Sequence, residues 1–201
     1  MSREITAQEV KALREKTGAG IMACKNALVE CEGDLEAATS LLRKQGEEIA
    51  TKRQGRKTAN GIIFSYVHAG DQIGVLVEVN CESDFVARNE DFRKFAKDVA
   101  MQIAAMRPQW LSREDVPQEA IAKEREILTE QAKNEGKPEN IAQKMVEGRL
   151  KKFYEQYCLL EQPFIRDDSL TIQGLLTDLI ARTGENCVVR RFCRFQVGEE
   201  E

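Results

Sequence analysis

Residues 62–81 of the chain read IIFSYVHAGDQIGVLVEVNC, and this segment predicts that the main domain begins with a β-sheet. Two apolar, β-branched runs, Ile62–His68 and Ile73–Cys81, flank the four residues 69–72. These four residues include glycine and aspartate, which suit the turn of a hairpin. We therefore predict two consecutive strands joined by a tight turn.

Downstream of this hairpin the pattern becomes helical. Asn89 opens an amphipathic stripe that Pro108 helps to end, and the stripe is wide enough to cover a sheet. Pro117 and Pro138 lie where first-turn prolines belong and introduce two long helices, with Gly136 at the stop between them. These helices are predicted to reach about residues 134 and 157 and to form an antiparallel projection.

The last part of the chain predicts one more helix and a return to strand. Thr171 can cap the helix, and Gly184 can end it. Apolar residues then alternate at Cys187, Val189, Cys193, Phe195 and Val197, although Arg191 interrupts the pattern. Alternation predicts a strand with these five side chains facing the core. Because helices separate the strands irregularly, the predicted class is α+β.

Residues 1–46 predict a small module of three short helices. Thr6 and Glu9 have the spacing of a capping box, and Gly18 suits the end of the first helix. Asp34 can cap a third helix, which we predict to end at Gly46. Such short helices must pack on one another to be stable. The predicted domains are thus the module at 1–46, a linker at 47–57, and the α+β core at 58–201.

The linker carries basic residues without interleaved aromatic residues. A nucleic-acid contact is one interpretation, but a solvated connection is favoured because stacking platforms are missing. The net charge of -4 also argues against a general nucleic-acid binder. Without a long apolar run or a signal-like start, we expect a cytoplasmic protein that binds no membrane and takes another protein as its partner.

No sequence motif predicts catalysis, a cofactor or a metal site. There is no phosphate-binding loop of P-loop spacing and no metalloprotease or hydrolase motif. The six cysteines form no C-x-x-C pair, so reduced, mostly buried thiols are the favoured interpretation. His68 could be a general base, and Glu78, Glu82 and Asp84 could bind a cation. A structural or solvated role is favoured for all four, since strand alternation scatters the carboxylates.

Residues 80–89, NCESDFVARN, form a polar segment between an apolar strand and an amphipathic helix. One interpretation is that Phe85 and Val86 enter the core while Ser83 or Asp84 caps the next turn. The other is that an aromatic residue held at a strand end anchors an interface, because binding sites concentrate in such loops. From the residues alone, the first interpretation is favoured.

Several ordered blocks of the chain resemble elongation factor Ts of bacteria and plastids, and the resemblance runs from the first helix to the last strand. The blocks are residues 10–22 with 24–28, residues 78–87, Gly136-Lys137-Pro138, residues 144–149, Gln162-Pro163-Phe164 and residues 194–199. The first two match the two family signatures. The family usually has threonine at the position of Ser83, and serine keeps the hydroxyl.

The resemblance implies that the N-terminal module is similar to ubiquitin-associated domains and docks on the GTPase domain of elongation factor Tu. By position, the residues implied for that contact are Lys11, Arg14, Ile21, Met22 and Lys25. It further implies that Ser83, Asp84, Phe85 and Val86 form an exchange wedge. Asp84 and Phe85 would insert beside the nucleotide site of the partner and disturb its magnesium and phosphate environment, so that GDP leaves.

Longer relatives carry a second half-domain, and the resemblance implies that short chains compensate by pairing. We therefore expect a homodimer joined through exposed strand surfaces or cysteines, with reduced thiols favoured over a disulfide. Two other functions stay open at this point. The three helices could make the chain an adaptor for ubiquitin-like proteins, which the second signature argues against. An enzyme of unrecognised type would need a nucleotide or magnesium site of its own.

Overall fold

The computed structural model describes residues 3–136 and 138–199, so Lys137 and the first two and last two residues of the chain lie outside the description. Within that part, the α-helices are α1 Ala7–Thr17, α2 Ile21–Glu30, α3 Leu35–Arg53, α4 Asp84–Ala87, α5 Glu90–Met106, α6 Gln118–Asn134, α7 Glu139–Tyr157 and α8 Ile172–Thr183. The strands are β1 Asn60–Val67, β2 Ile73–Cys81, β3 Pro163–Phe164, β4 Asp167–Thr171 and β5 Cys187–Gln196. The predicted α+β class is confirmed.

Two small sheets organise the strands. One has the order β1-β2-β5, and the other pairs β3 with β4 in antiparallel fashion. Strands β1 and β2 are neighbours joined by only a short connection, which requires an antiparallel hairpin because a parallel pair needs a long crossover. The hairpin predicted from residues 62–81 is confirmed. The β3–β4 pair was not predicted.

The chain divides into two compact units, each assembled from separate stretches. The first contains the chain up to Ile62 together with Val79–Phe95 and Gly174–Val188. The second contains Ile63–Glu78, Ala96–Gln173 and the chain from Val189 onward. All three helices of the N-terminal module and the segment that follows β2 lie in the first unit.

Helices α1, α2 and α3 form their own apolar core. Its buried members are Leu13, Cys24, Ala27, Leu28 and Ala38. Two helix starts follow the sequence signals, since Thr6 and Glu9 form the predicted capping box and Asp34 caps α3. The likeness to ubiquitin-associated domains and the three domain boundaries stay predictions.

The predicted end of the third helix at Gly46 is wrong, because α3 continues to Arg53. Gly46 is buried, and a Cβ built there would lie 3.1 Å from the Cβ of Ala181 in α8. Its small size therefore serves close packing between α3 and α8 and does not mark a helix end. Because α3 runs to Arg53, the first part of the predicted linker is helical.

The later helices agree with their sequence signals. Helices α5, α6, α7 and α8 begin and end close to the predicted residues. Helices α6 and α7 pack along a shared apolar seam, and their short connection makes them antiparallel. The buried seam residues are Leu128, Ala132, Val146 and Leu150. The predicted antiparallel pairing of these two helices is confirmed.

In strand β5 the predicted alternation holds for its first half only. Cys187 and Val189 are buried, but both Arg190 and Arg191 are exposed, and the inward positions then shift by one residue. Consequently Cys193, Phe195 and Val197 face solvent, and their predicted core position is wrong. Unshifted alternation would bury the charge of Arg191, which instead binds Glu78 at the surface (Nε–Oε2 2.7 Å).

Candidate functional site

The segment between β2 and α5 forms a capped single turn of helix. Ser83 is the N-cap of α4, and its hydroxyl accepts a hydrogen bond from the backbone N–H of Val86 at 3.3 Å. Val86 is buried, whereas Phe85 is 79% exposed, more than any other large hydrophobic side chain among the described residues. The interpretation that both residues enter the core is therefore wrong for Phe85 and right for Val86.

Glu185, in the loop between α8 and β5, binds the cap of this turn with both carboxylate oxygens. The backbone N–H of Ser83 donates to Oε2 at 3.0 Å, and the Ser83 hydroxyl donates to Oε1 at 2.6 Å. The two residues are 102 positions apart in the chain. This bidentate contact fixes the backbone and the hydroxyl of Ser83 at once.

A second carboxylate makes the reciprocal contact. The backbone N–H of Asn186 donates to Oε1 of Glu82 at 2.7 Å, so each loop gives a carboxylate to a backbone N–H of the other. Arg53 and Arg56 lie 3.9 and 3.7 Å from the Glu82 carboxylate. The Asn60 amide also donates to the Glu82 backbone carbonyl at 2.8 Å. The loop before Phe85 is thus held from three directions.

Each of the three carboxylates considered as a cation site binds a partner of its own. Glu78 pairs with Arg191, Glu82 accepts from Asn186, and Asp84 pairs with Arg88 one turn away at 3.0 Å. Among residues 3–136 and 138–199, no group of three or more histidine, cysteine or acidic side chains is arranged to hold a metal ion.

Burial makes two thiols near the loop poor nucleophiles. Burial, together with the nearby Glu185 carboxylate, raises the pKa of Cys81 to about 11. Burial also raises the pKa of Cys187 to about 12. The protonated Cys81 thiol donates to the Ser83 carbonyl oxygen at 3.1 Å, so this cysteine supports the loop instead of reacting.

His68 lies just after the end of β1 and is exposed. Its Nδ1 lies 2.9 Å from the hydroxyl of Tyr66, two residues earlier in the chain. The partner is a local one on the same hairpin. This position agrees with the structural or solvated role favoured for His68.

The five residues implied for docking are all exposed. Lys11 and Arg14 lie on α1, and Ile21, Met22 and Lys25 lie on α2. Ile21 and Met22 are 55% and 65% exposed, although both are large and apolar. The core of the module is formed by other residues, which leaves these side chains available to another molecule.

Sequence reasoning missed the groups that hold the loop. Glu185 and Asn186 follow a helix far along the chain, and nothing in their spacing relates them to residues 82–83. Arg53 and Arg56 fall in the segment that the sequence predicts to be a solvated linker. The acidic residues Glu82 and Asp84 could have suggested basic partners, but they do not specify which ones.

The fold and the loop place this chain in a class of α+β proteins. Members of this class have a three-helix N-terminal module and an exposed aromatic side chain on a hydrogen-bonded turn. The profile of the family described as Elongation factor TS matches residues 3–199. Elongation factor Ts of Carboxydothermus hydrogenoformans is 57% identical over 195 residues, covering 97% of this chain and 90% of that protein. Elongation factor Ts of Moorella thermoacetica is 56% identical, covering 97% and 96%.

The relative from Caldanaerobacter subterraneus subsp. tengcongensis is 57% identical over 97% of this chain and 98% of its own length. The chain therefore belongs to the elongation factor Ts family, and its general role is that of a translation elongation factor. No helix among the described residues combines the length and the apolar character needed to cross a membrane.

Proposed function

We propose that this chain is a guanine-nucleotide exchange factor that binds elongation factor Tu carrying GDP and promotes GDP release. The wedge is formed by Ser83, Asp84, Phe85 and Val86, of which Val86 is buried and supports the turn from the core. Phe85 enters the partner beside the nucleotide, and Asp84 disturbs the magnesium and phosphate environment. Membership of the elongation factor Ts family supports this general role.

The observation that carries the proposal is the exposure of Phe85 on a loop whose start is held by hydrogen bonds to Glu185 and Asn186. An aromatic side chain that is 79% exposed contributes little to folding. It can contribute much more when a partner buries it, because rigid aromatic anchors supply most of the energy at many interfaces. The bonds to Glu185 and Asn186 limit the ordering cost of that step.

Docking is assigned to the N-terminal module. The exposed apolar pair Ile21 and Met22 forms the centre of the proposed contact, and Lys11, Arg14 and Lys25 add positive charge around it. An apolar centre with a charged surround is the usual anatomy of a specific protein interface. The GTPase domain of elongation factor Tu is the proposed surface for this contact.

The proposed mechanism is mutual coupling and involves no covalent step. A protein that favours a nucleotide-poor conformation of its partner weakens nucleotide binding by the same factor by which the nucleotide weakens its own binding. Such a binding protein needs no cofactor, no metal ion and no contact with nucleic acid. We place it in the cytoplasm with its partner.

The direct test is the release of labelled GDP from purified elongation factor Tu with and without the chain. Excess unlabelled GDP is added in both cases so that the labelled GDP, once released, does not bind again. The expected result is a release rate that rises with the concentration of the chain and then saturates. A rate that does not change at any concentration of a folded chain would reject the proposed function.

We also propose that two copies of the chain pair through the outer face of the β1-β2-β5 sheet. In the second unit this face exposes apolar side chains from all three strands: Ile63 and Val67 from β1, Leu76 from β2, and Cys193, Phe195 and Val197 at and after the end of β5. Contiguous exposed apolar surface of this kind is typical of subunit contacts. A two-fold axis would place each side chain in the contact twice.

Substitution of Phe195 by glutamate tests the pairing. Phe195 is 66% exposed in the single chain, so the folded monomer should tolerate the change. In a dimer the substitution would bury two unpaired charges, and we expect the dissociation constant to rise by about 100-fold or more. Sedimentation velocity at micromolar concentration should then show monomers where the unmodified chain shows dimers.

Ile141→Glu is the matched control, because Ile141 is a 45% exposed apolar residue on helix α7. It should leave the sedimentation coefficient unchanged. An unmodified chain that sediments only as a monomer would contradict the proposed dimer. Equal dimerisation of the wild type and Phe195→Glu would exclude this face of the sheet.

A further inference from the structure

The exposed position of Phe85 raises the question of what determines its direction. A side chain that is 79% exposed has few neighbours to hold it by packing. Its direction is therefore set by the backbone of α4, which is only one turn long. A single turn of helix is not stable by itself. The groups that hold its first residues consequently decide where Phe85 points.

Ser83 is the point at which α4 is held. Its hydroxyl has one hydrogen, which goes to Oε1 of Glu185, and this leaves a lone pair for the N–H of Val86. The carboxylate thus selects the side-chain rotamer in which Ser83 can cap the turn. The second oxygen of Glu185 holds the backbone N–H of Ser83 and fixes the direction in which the chain enters α4.

We infer that Glu185 is a positioning residue for nucleotide exchange, acting through Ser83 to fix the direction in which Phe85 leaves the loop; the inference rests on the function proposed above. Glu185 lies directly after the turn that ends α8 and is itself half-buried. It has no role in the proposed contact with the partner. Its effect is to keep the wedge in one conformation before binding, which reduces the ordering cost at the interface.

The test compares Glu185→Ala with Glu185→Gln in the GDP-release measurement. Alanine removes both bonds, and we expect the maximal release rate at saturating chain to fall by about tenfold, the loss typical of a bond to a charged group. The concentration that gives half-maximal release should change by less than about threefold, because the N-terminal module still docks. Glutamine can accept from the Ser83 N–H and donate to its hydroxyl, so we expect most of the rate to return.

Amide hydrogen exchange supplies a readout that does not depend on the partner. In Glu185→Ala the amides of Ser83 and Val86 should exchange faster, while those of α8 keep their protection. Ser83→Ala removes the hydroxyl bond to Glu185 and the capping bond from the Val86 N–H but keeps the backbone bond to Glu185, and it serves if Glu185→Ala fails to fold. Glu161→Ala is the matched control, since this carboxylate makes two bonds to Arg113 in the second unit.

The outcomes separate this inference from the proposed function. A wild-type chain without effect on GDP release would reject both. Wild-type activity that Phe85→Ala loses but Glu185→Ala and Ser83→Ala keep would overturn the positioning role alone. Loss of activity in Glu185→Gln as large as in Glu185→Ala would also overturn it, because the negative charge itself would then be required.

Discussion

Replacing Phe85 by alanine is expected to slow GDP release from elongation factor Tu by roughly tenfold or more at a fixed, subsaturating concentration of the chain. An aromatic anchor lost at an interface commonly costs about 2 kcal/mol or more, and about 1.4 kcal/mol corresponds to a factor of ten. Because Phe85 is 79% exposed in the free chain, the change should leave the melting temperature nearly the same. The loss can therefore be attributed to the interface.

Ile141→Ala is the matched control for this experiment, because it removes another exposed apolar side chain, on helix α7. It should exchange GDP at the wild-type rate. Asp84→Ala should also slow exchange. Arg88→Ala should not, because it removes the partner of Asp84 in the free chain but keeps the carboxylate. Unchanged exchange by a folded Phe85→Ala chain would reject the wedge role.

The second large effect is expected in the sheet, where Gly61→Ala should destabilise the protein by about 3 kcal/mol or more. A Cβ at position 61 would lie 2.2 Å from the backbone carbonyl oxygen of Val79 in the neighbouring strand. Gly61 also has a φ of +154°, a backbone conformation that residues other than glycine rarely adopt. For a chain of this length, thermal denaturation should show a melting temperature lower by at least about 6 °C.

Gly74→Ala is the control for Gly61→Ala. Gly74 lies in β2 of the same sheet, and no atom comes within 4 Å of a Cβ built there. Its replacement should change the stability by no more than about 0.5 kcal/mol. Equal melting temperatures for the two variants would show that β1 and β2 can separate enough to admit a methyl group, and would refute the close approach.

The close approach at Gly61 also matters for the proposed site. The neighbouring Asn60 donates to the backbone carbonyl of Glu82 at 2.8 Å, so the start of β1 supports the loop that carries Phe85. A side chain at position 61 would push these strands apart at the end nearest the loop. A folded Gly61→Ala chain should accordingly lose part of its exchange activity as well as its stability.

Local signals in the sequence predicted the elements well. Capping residues such as Thr6 and Asp34 satisfy backbone groups a few positions away, and Pro117 and Pro138 directly precede their own helices as N-cap residues. These interactions join residues within about one helical turn of each other, so they can be recognised in the amino-acid sequence. The elements that carry the candidate site were predictable for the same reason.

Two failures show where local reasoning stops. Glycine is the residue type that commonly ends a helix, but Gly46 lies inside α3 and makes a packing contact with Ala181 of α8. In β5, alternation alone put Phe195 in the core, yet the strand shifts by one position at Arg190 and Arg191. The shifted strand turns Arg194 inward. Its guanidinium donates a hydrogen bond to the Glu199 carboxylate at 3.0 Å.

The amino-acid sequence alone determined the α+β class, the helical hairpin, the β-hairpin and the position of Phe85 at the end of a strand, since each depends on residues close together in the chain. Only the tertiary structure decided that Phe85 points into solvent while Val86 is buried, and that Glu185 holds Ser83 from 102 positions away. Contacts of that separation depend on how the chain folds back on itself, and no local pattern of side chains encodes their pairing.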